Sequence, residues 1–166
     1  MNEGRSNPGA VTLHDIMIQD VLTVQADWSL DQLAEFLVQN YISGAPVVTE
    51  KGDLIGVVSL TDIVRHDSSH ADDLRLAGAY EYYLRGGESR YLQEQIASLQ
   101  IINESPFTVR DIMTPMVFKV SEDTSLKEVA DVMIRGHIHR VFVTRGKVLV
   151  GVVTALDMLK VIRDLP

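Results

Sequence analysis

A chain of 166 residues has room for one domain, or for two small units that share a core. Its net charge of −8 argues against non-specific binding of nucleic acid, which depends on lysine and arginine side chains facing phosphates. Because cysteine is absent, disulfides, thiolate metal sites and cysteine nucleophiles are excluded. No apolar run is long enough to span a membrane, and we expect a cytoplasmic location.

An internal repeat dominates the sequence after a polar lead-in at residues 1–10, which we expect to be disordered. Leu13 to Met17 reads LHDIM, and the related run VRDIM follows 96 positions later at Val109 to Met113. The register then holds along both copies, with one residue fewer in the second copy before Gly151. We therefore expect repeat 1 at residues 11–65 and repeat 2 at residues 107–166, separated by an insert at residues 66–106.

Each copy shows the same order of predicted elements. A short extended piece precedes a helix that begins with a capping box, Ser29-x-x-Gln32 or Ser125-x-x-Glu128, and carries an apolar stripe at helical spacing. We expect left-handed C-terminal caps at Asn40 and Gly136. Two β-branched runs and a second helix complete a β-α-β-β-α unit. The fold class is α/β (α+β), with the two repeats packed sheet against sheet as a pseudo-twofold pair.

The insert has no counterpart in either copy. Its sequence predicts helices at Leu74 to Arg85 and Tyr91 to Ile102, and three of the five tyrosines lie between Ala79 and Leu84. This density of tyrosine suggests a packing face for a second copy or an effector protein, at residues 72–102.

The second helix of each repeat begins with the most informative motif. Gly56 to Asp62 reads GVVSLTD, and Gly151 to Asp157 reads GVVTALD. A carboxylate can accept hydrogen bonds from two vicinal hydroxyls of a ribose, and the amides of a helix N-terminus suit a phosphate. The same spacing also forms a capping box that needs no ligand, and one residue can serve both purposes.

The duplicated order, the Asp-Ile-Met entries and the Gly-Val-Val-[Ser/Thr]-x-x-Asp exits resemble the CBS domain, named after cystathionine β-synthase. Two copies in register resemble a CBS pair, or Bateman module. The resemblance implies clefts between the repeats that bind an adenosine derivative, such as AMP, ADP, ATP or S-adenosylmethionine, and a homodimer. By position it assigns nucleotide contacts to Thr23, Ile42, Ala45, Ser59, Thr61 and Asp62 in repeat 1, and to Lys119, Ile138, His139, Arg140, Thr154 and Asp157 in repeat 2.

Ile138-His139-Arg140 marks the clearest difference between the repeats. It is similar to an Ile-His-Arg run in the γ subunit of AMP-activated protein kinase, where the resemblance assigns His and Arg to the nucleotide phosphate. The planar guanidinium of arginine suits that task. Repeat 1 has Ser43-Gly44 at the matching positions, so we expect phosphate to be held by repeat 2. The alternative is an ordinary histidine and arginine at a strand edge.

We therefore expect a regulatory module without catalytic or metal-binding residues, which binds an adenine nucleotide and relays the signal to a partner protein. The main alternative is an interaction scaffold that binds no ligand, in which Asp62 and Asp157 only cap helices. A small hydrolase has no motif in its favour.

Overall fold

The computed structural model describes residues 11–67 and 106–164. Repeat 1 contains β1 (Val24–Gln25), α2 (Leu30–Gln39), β2 (Gly44–Val48), β3 (Leu54–Ser59) and α3 (Leu60–Asp67), and is preceded by the short helix α1 (Leu13–Ile16). Repeat 2 contains β4 (Lys119–Ser121), α5 (Leu126–Gly136), β5 (Arg140–Arg145), β6 (Val148–Thr154) and α6 (Ala155–Arg163), preceded by α4 (Val109–Ile112). The predicted α/β fold of two β-α-β-β-α repeats is confirmed. The structure also shows a short helix before each repeat, which was not predicted from the sequence.

Each repeat forms a three-stranded sheet of the same topology. The first and second strands are parallel, and the second and third form an antiparallel hairpin. The pairing is equivalent residue by residue, since Val24 lies opposite Val47 and Val120 lies opposite Val143. A register irregularity follows Val47 in β2 and Val143 in β5, so even this departure from regular pairing is repeated.

The long helices begin where the capping boxes predict. The hydroxyls of Ser29 and Ser125 accept hydrogen bonds from the amides of Gln32 and Glu128. The predicted left-handed caps are one residue too early, because the positive φ angles belong to Tyr41 (54°) and His137 (50°).

The two residues predicted to be caps have other tasks. The side-chain amide of Asn40 donates to the carbonyl of Phe36 at 2.8 Å while its own backbone stays at negative φ. Gly136 is helical, and a β-carbon there would lie 3.2 Å from the ring of Phe118 and 3.3 Å from Ile138. Glycine at this position therefore serves close packing rather than a left-handed turn.

Each repeat is preceded by a short entry segment that contains α1 or α4. Each entry segment packs on the other repeat, so the two segments are exchanged. Leu13 and Met17 are buried in the core of repeat 2, and Val109 is buried in the core of repeat 1. Each segment also adds a bridge to the sheet of the other repeat: the amide of Ile18 donates to Val152 at 2.9 Å, and that of Thr114 to Val57 at 2.8 Å. The two halves are therefore bound together by backbone as well as by side chains.

The motif glycines are explained by these exchanged segments. A β-carbon on Gly56 would lie 2.8 Å from the carbonyl oxygen of Thr114 and 2.9 Å from the sulfur of Met113. On Gly151 it would lie 2.7 Å from the sulfur of Met17. The repeated glycine is thus required because a second chain segment crosses the strand at that point.

A third hydrophobic cluster joins the two sheets face to face. Leu54 and Val57 from repeat 1 pack with Phe142 and Val152 from repeat 2. The hairpin turns also meet, since the amide of Leu54 donates to the carbonyl of Lys147 at 2.9 Å. The predicted packing of sheet against sheet is confirmed.

The predicted helices Leu74 to Arg85 and Tyr91 to Ile102 and the lead-in lie outside the described residues. The two ends of the insert are close together, because the ring of His66, its first residue and part of α3, lies 4.1 Å from the ring of Phe107, centre to centre, in an edge-on contact. Within residues 11–67 and 106–164, no helix has the length and apolar character needed to cross a bilayer.

Candidate functional site

The two motif aspartates lie at equivalent strand-to-helix junctions. β3 ends at Ser59 and β6 ends at Thr154, and a helix begins at the next residue in each case. Both aspartates are in the first turn of their helices and are almost entirely buried, with 8% of Asp62 and 4% of Asp157 exposed. A carboxylate buried to this degree needs hydrogen-bonding partners.

In repeat 1 the buried carboxylate has one partner residue among those that the structure describes. Oδ2 of Asp62 accepts hydrogen bonds from the amide and the hydroxyl of Ser59, each at 2.7 Å. Burial raises the pKa of Asp62, although the bonds from Ser59 and the charge of Arg65 act in the opposite direction. The carboxylate of Asp62 is therefore incompletely compensated.

In repeat 2 the carboxylate is more fully bonded. Oδ2 of Asp157 accepts from the amide of Thr154 at 2.9 Å and from its hydroxyl at 2.6 Å, while Lys160 donates to Oδ1 at 2.8 Å. Burial alone would raise the pKa of Asp157, but the hydrogen bonds from Lys160 and Thr154 and the charge of Lys160 hold it below its usual value. The same motif thus produces two electrostatically different sites.

Thr61 adds a second difference between the junctions. Its side chain is fully buried, and its hydroxyl has no hydrogen-bonding partner in the described part of the chain. A buried hydroxyl without a partner costs about 1–3 kcal/mol. The matching residue in repeat 2 is Leu156, which is 68% exposed. Repeat 1 therefore places an unsatisfied hydroxyl next to an incompletely compensated carboxylate.

The starts of β2 and β5 lie beside these junctions. Arg140 is paired with Thr154, and Gly44 is paired with Ser59. Since side chains alternate along a strand, Arg140 projects from the same sheet face as Phe142, whose side chain packs between the two sheets. The sheet places Arg140 on the face that looks toward the other repeat, opposite Thr154 on the neighbouring strand.

Repeat 1 cannot carry a side chain where repeat 2 carries Arg140. A β-carbon on Gly44 would lie 2.8 Å from the carbonyl oxygen of Val58 and 3.2 Å from the β-carbon of Ser59. Glycine is required there because the paired strand approaches too closely for any side chain.

Thr23 and Lys119 occupy equivalent places at the starts of the first strands. Lys119 is paired with Phe142 and is exposed. Val120 is buried in the core on the helix side of the sheet, so the alternation of the strand places Lys119 on the same face as Arg140. Thr23 directly precedes β1 and is partly buried.

His139 borders a hollow of about 520 Å³ at the beginning of α6. The remaining lining residues are Met133, Ile134, His137, Ile138 and Ala155. The amide of Ala155 donates to the carbonyl of His139 at 2.9 Å, which connects the start of β5 to the start of α6. His137 was not predicted from the sequence, although it lies two residues before His139 in the same polar turn.

Three predicted site residues belong to the hydrophobic cores, and one of them, Ile138, is buried in the core of repeat 2. Ala45 is fully buried in the core of repeat 1, and Ile42 packs against that core. The core position of Ala45 leaves its backbone, rather than its side chain, to meet a ligand.

No group of three or more His, Cys, Asp or Glu side chains suited to a metal ion occurs in residues 11–67 and 106–164. The polar residues His70, Asp72 and Asp73 of the insert lie outside the described residues.

The duplicated sheets, the exchanged entry segments and the paired Ser/Thr-x-x-Asp junctions define a pair of CBS domains. The family model for the CBS domain matches residues 13–69 and 109–164, and the chain belongs to the CBS-domain family.

Comparison with known proteins agrees with this membership. Uncharacterized protein MJ1426 of Methanocaldococcus jannaschii is 28% identical over 166 residues, which cover 96% of both proteins. Three other relatives are longer, and the matches span 30%, 64% and 42% of their lengths.

Solved structures show the same fold. CBSX2 in complex with AMP is similar with a TM-score of 0.61 and 23% identity, over 93% of this chain and 97% of that chain. The CBS domain pair of protein MJ0100, in complex with 5-methylthioadenosine and S-adenosyl-L-methionine, has a TM-score of 0.56 and 22% identity, over 92% and 99% of the two chains.

Proposed function

We propose that the chain is a regulatory, non-enzymatic module that binds an adenosine-type ligand between its two repeats. The observation that carries this proposal is the position of Arg140, opposite Thr154 and on the sheet face that looks toward the other repeat. A cation at this point, next to a helix N-terminus, suits the phosphate of a nucleotide. Lys119, on the same sheet face as Arg140, is proposed as a further donor, and His139 is proposed to meet the ligand from the hollow at the start of α6.

The ribose contact is proposed for the repeat 1 junction. Among the described residues only Ser59 donates to Asp62, through Oδ2, which leaves Oδ1 for the hydroxyls of a ribose. Thr61, the residue directly before Asp62, carries a buried hydroxyl that has no hydrogen-bonding partner in the described ranges. Asp157 is the weaker candidate, because Lys160 already bonds to its second oxygen.

The ligands of the relatives support an adenosine-type ligand in general terms. CBSX2 is in complex with AMP, and the MJ0100 pair is in complex with 5-methylthioadenosine and S-adenosyl-L-methionine. The shared chemistry is an adenine ring with a ribose, and the group at the 5′ position differs. The cations of repeat 2 favour a phosphate at that position in the present chain.

The proposal is tested by thermal unfolding with AMP, ADP, ATP, adenosine and S-adenosylmethionine, followed by calorimetry with any ligand that raises the melting temperature. A ligand present at one hundred times its Kd stabilises a protein by about 2.7 kcal/mol. If none of the five ligands shifts the melting temperature at millimolar concentration, the ligand-sensing function is wrong.

The alternative is an interaction scaffold, and one observation favours it. The Thr154 capping box is complete without any ligand, and the ion pair with Lys160 satisfies the remaining oxygen of Asp157. A chain in which both junctions serve only as caps would fold and assemble without a nucleotide. The ligand titration above separates the two functions.

We also propose a homodimer that forms through the helices of repeat 2. Large apolar side chains are exposed on α5 and α6: Ile134 (69%), Leu156 (68%), Leu159 (56%) and Ile162 (62%). The three on α6 are spaced by three residues and lie along one side of the helix. The matching residues of repeat 1 are Val38, Thr61, Val64 and Asp67, so the exposed apolar face belongs to repeat 2.

A second copy fits this face better than an arbitrary partner. Two antiparallel α6 helices would place Leu159 against its own equivalent and Leu156 against Ile162, which makes the stripe complementary to itself. Contiguous exposed apolar surface of this kind marks protein interaction sites.

The signal is proposed to reach a separate effector protein, with the insert at residues 72–102 as its contact and the cytoplasm as the location. Because His66 and Phe107 hold the two sides of the insert together, a short linker can replace its middle. Deletion of Asp72 to Ser98 should leave nucleotide binding intact and abolish co-purification of the effector. An unchanged set of partners would contradict the role of the insert.

A further inference from the structure

A second hollow lies in repeat 1, at the end of the sheet where the β2–β3 hairpin turns. It has a volume of about 390 Å³ and lies between the ends of β1 and β2, the β2–β3 turn and the entry segment of repeat 2. Its lining residues are Gln25, Ala26, Asp27, Val48, Thr49, Glu50, Lys51, Asp53 and Arg110. The Ser/Thr-x-x-Asp junctions lie at the opposite ends of β2 and β3, so this hollow is separate from the proposed nucleotide site.

The equivalent place in repeat 2 carries a surface ion pair of the protein itself, in which the Arg145 side chain is 67% exposed. Arg145 forms a two-pronged ion pair with Glu122, in which Nη2 donates to Oε2 at 2.7 Å. The hydrogen bonds and charge of Arg145, together with the nearby charge of His14, lower the pKa of Glu122. A guanidinium and a carboxylate therefore occupy this place, with a second basic group beside them.

Repeat 1 lacks both members of that pair. Ala26 stands at the position of Glu122, and Thr49 stands at the position of Arg145. The sheets are in the same register up to these residues, and the side chains of Thr49 and of Ala26, which is buried in the core of repeat 1, are too short to reach where the ion pair lies in repeat 2. The hollow of repeat 1 thus lies at the position where repeat 2 has one guanidinium and one carboxylate.

The charged side chains around the hollow are suited to bind both a guanidinium and a carboxylate. Because the entry segments are exchanged, Arg110 lies beside the sheet of repeat 1 as His14 lies beside the sheet of repeat 2. The β2–β3 turn is one residue longer than the β5–β6 turn, and it supplies Glu50, Lys51 and Asp53. With Asp27 the lining carries three carboxylates and two cations. None of the five forms a salt bridge with another described residue.

We propose that this hollow binds a free basic amino acid of the arginine type. Its carboxylate takes the place of the Glu122 carboxylate and pairs with Arg110 and Lys51. Its guanidinium takes the place of the Arg145 guanidinium and pairs with Asp27, Glu50 and Asp53. The ligand carries a net charge of about +1, which complements the net charge of −1 on the five lining side chains. The hollow is also within the size range of small-molecule sites.

The test is calorimetry on the full chain with L-arginine, agmatine, which lacks the carboxylate, and L-citrulline, which lacks the guanidinium charge. L-arginine should bind with a saturable signal, and each analogue should bind about tenfold or more weakly, because each has lost one charge-assisted contact. Absence of a saturable signal for L-arginine up to millimolar concentration would overturn the proposal. Equal binding of agmatine or L-citrulline would overturn it as well.

A double substitution locates the site. Ala26→Glu with Thr49→Arg transplants the repeat 2 ion pair into repeat 1, and it should abolish binding of L-arginine in a variant that circular dichroism shows to be folded. Arg110→Gln provides a milder second variant, which should weaken L-arginine by about tenfold and leave agmatine almost unchanged. If both variants bind L-arginine as the wild type does, the ligand does not occupy this hollow. Because the junction residues are untouched, binding of AMP by the same variants reports separately on the proposed nucleotide site.

Discussion

Asp62 and Asp157 show that the same motif can shift the pKa of its aspartate in opposite directions. Both follow a Ser or Thr by three residues, and both accept hydrogen bonds from it. The difference is the basic residue one turn later: Lys160 donates to Asp157 directly, whereas Arg65 acts on Asp62 only through its charge. The sequence indicated the cap and the carboxylate. It could not indicate the pKa, which depends on burial and on the side-chain conformation of Lys160 and Arg65.

Asp157→Asn should lower stability at neutral pH and have little effect in acid. The folded-state pKa of Asp157 lies below its unfolded value of about 3.9, so the carboxylate stabilises the fold above that pH. This contribution is lost as the pH falls through the folded-state pKa. We expect a cost of about 0.5–1 kcal/mol at pH 7, measured by urea unfolding, because Lys160 is exposed and Asn keeps part of the cap.

Asp62→Asn serves as the matched comparison, and its effect on stability should depend on pH in the opposite direction. The folded-state pKa of Asp62 is raised, so the wild type loses stability as the pH rises from its unfolded pKa through the folded-state value. The asparagine variant lacks this loss, and its stability relative to the wild type should be greater at pH 7 than at pH 4. The same pH dependence for both variants would contradict the assigned electrostatic difference.

At the scale of secondary-structure elements, the entry segments were the least predictable part of the fold. The repeated Asp-Ile-Met runs were recognised, and the capping boxes of α1 and α4 account for their aspartates: Asp15 accepts from Thr12, and Asp111 accepts from Thr108. That each segment packs on the other repeat has no local signal. It depends on contacts between residues far apart in the chain, such as Met17 with Gly151.

Gly56→Ala and Gly151→Ala should each lower the free energy of unfolding by about 1–3 kcal/mol, the range for overpacking a close contact. The added β-carbon would meet Met113 and Thr114 in one case and Met17 in the other, at distances of 2.7–2.9 Å. Urea unfolding followed by circular dichroism measures the effect.

Gly146→Asn is the control for these two variants. Gly146 has φ of 63°, and a β-carbon there would meet no described atom within 4 Å. Asparagine tolerates this backbone conformation, so the variant should cost less than either alanine variant. Equal costs at all three positions would mean that the crossing segments do not set the requirement for glycine.

The helix ends show how far local pattern reasoning extends. The starts at Ser29 and Ser125 were predicted correctly, since a capping box is a local arrangement. The left-handed residue was predicted one position early in both repeats, because Asn and Gly favour that conformation in general. The positive φ angle comes only after Asn40 and Gly136, which are used for a side-chain bond and for tight packing.

At the scale of the whole molecule, Leu159→Lys should convert a dimer into a monomer. Leu159 is 56% exposed at the middle of the apolar stripe on α6, and a charge there would be buried without a partner in the proposed dimer. Analytical ultracentrifugation measures the mass, and the melting temperature of the monomer should change little.

Val38→Lys is the matched control on repeat 1, where Val38 is 40% exposed and equivalent to Ile134. It should leave the dimer intact. A wild-type chain that sediments as a monomer at micromolar concentration, or a Val38→Lys variant that dissociates as Leu159→Lys does, would contradict an interface confined to repeat 2.

The molecule is a near-symmetric pair whose function is proposed to depend on its departures from symmetry. The sequence predicted the repeats, their packing and the contrast between Arg140 and Gly44. The reason for that contrast has no local signal in the sequence, since the close approach of Val58 and Ser59 to Gly44 exists only in the folded sheet. The hollow of repeat 1 at the place of the Glu122–Arg145 pair has no local signal either, because only the folded sheets bring these positions together.

The central claim is that Arg140 holds the phosphate of an adenosine-type ligand, and calorimetry with AMP and adenosine on the wild type and Arg140→Ala tests it most directly. We expect Arg140→Ala to weaken AMP by about 1.5–3 kcal/mol, the range for hydrogen bonds to charged groups, and to leave adenosine almost unchanged. Arg163→Ala, which removes an exposed arginine at the far end of α6, should change neither affinity. Equal losses for AMP and adenosine in Arg140→Ala would mean that Arg140 supports the fold and does not bind phosphate.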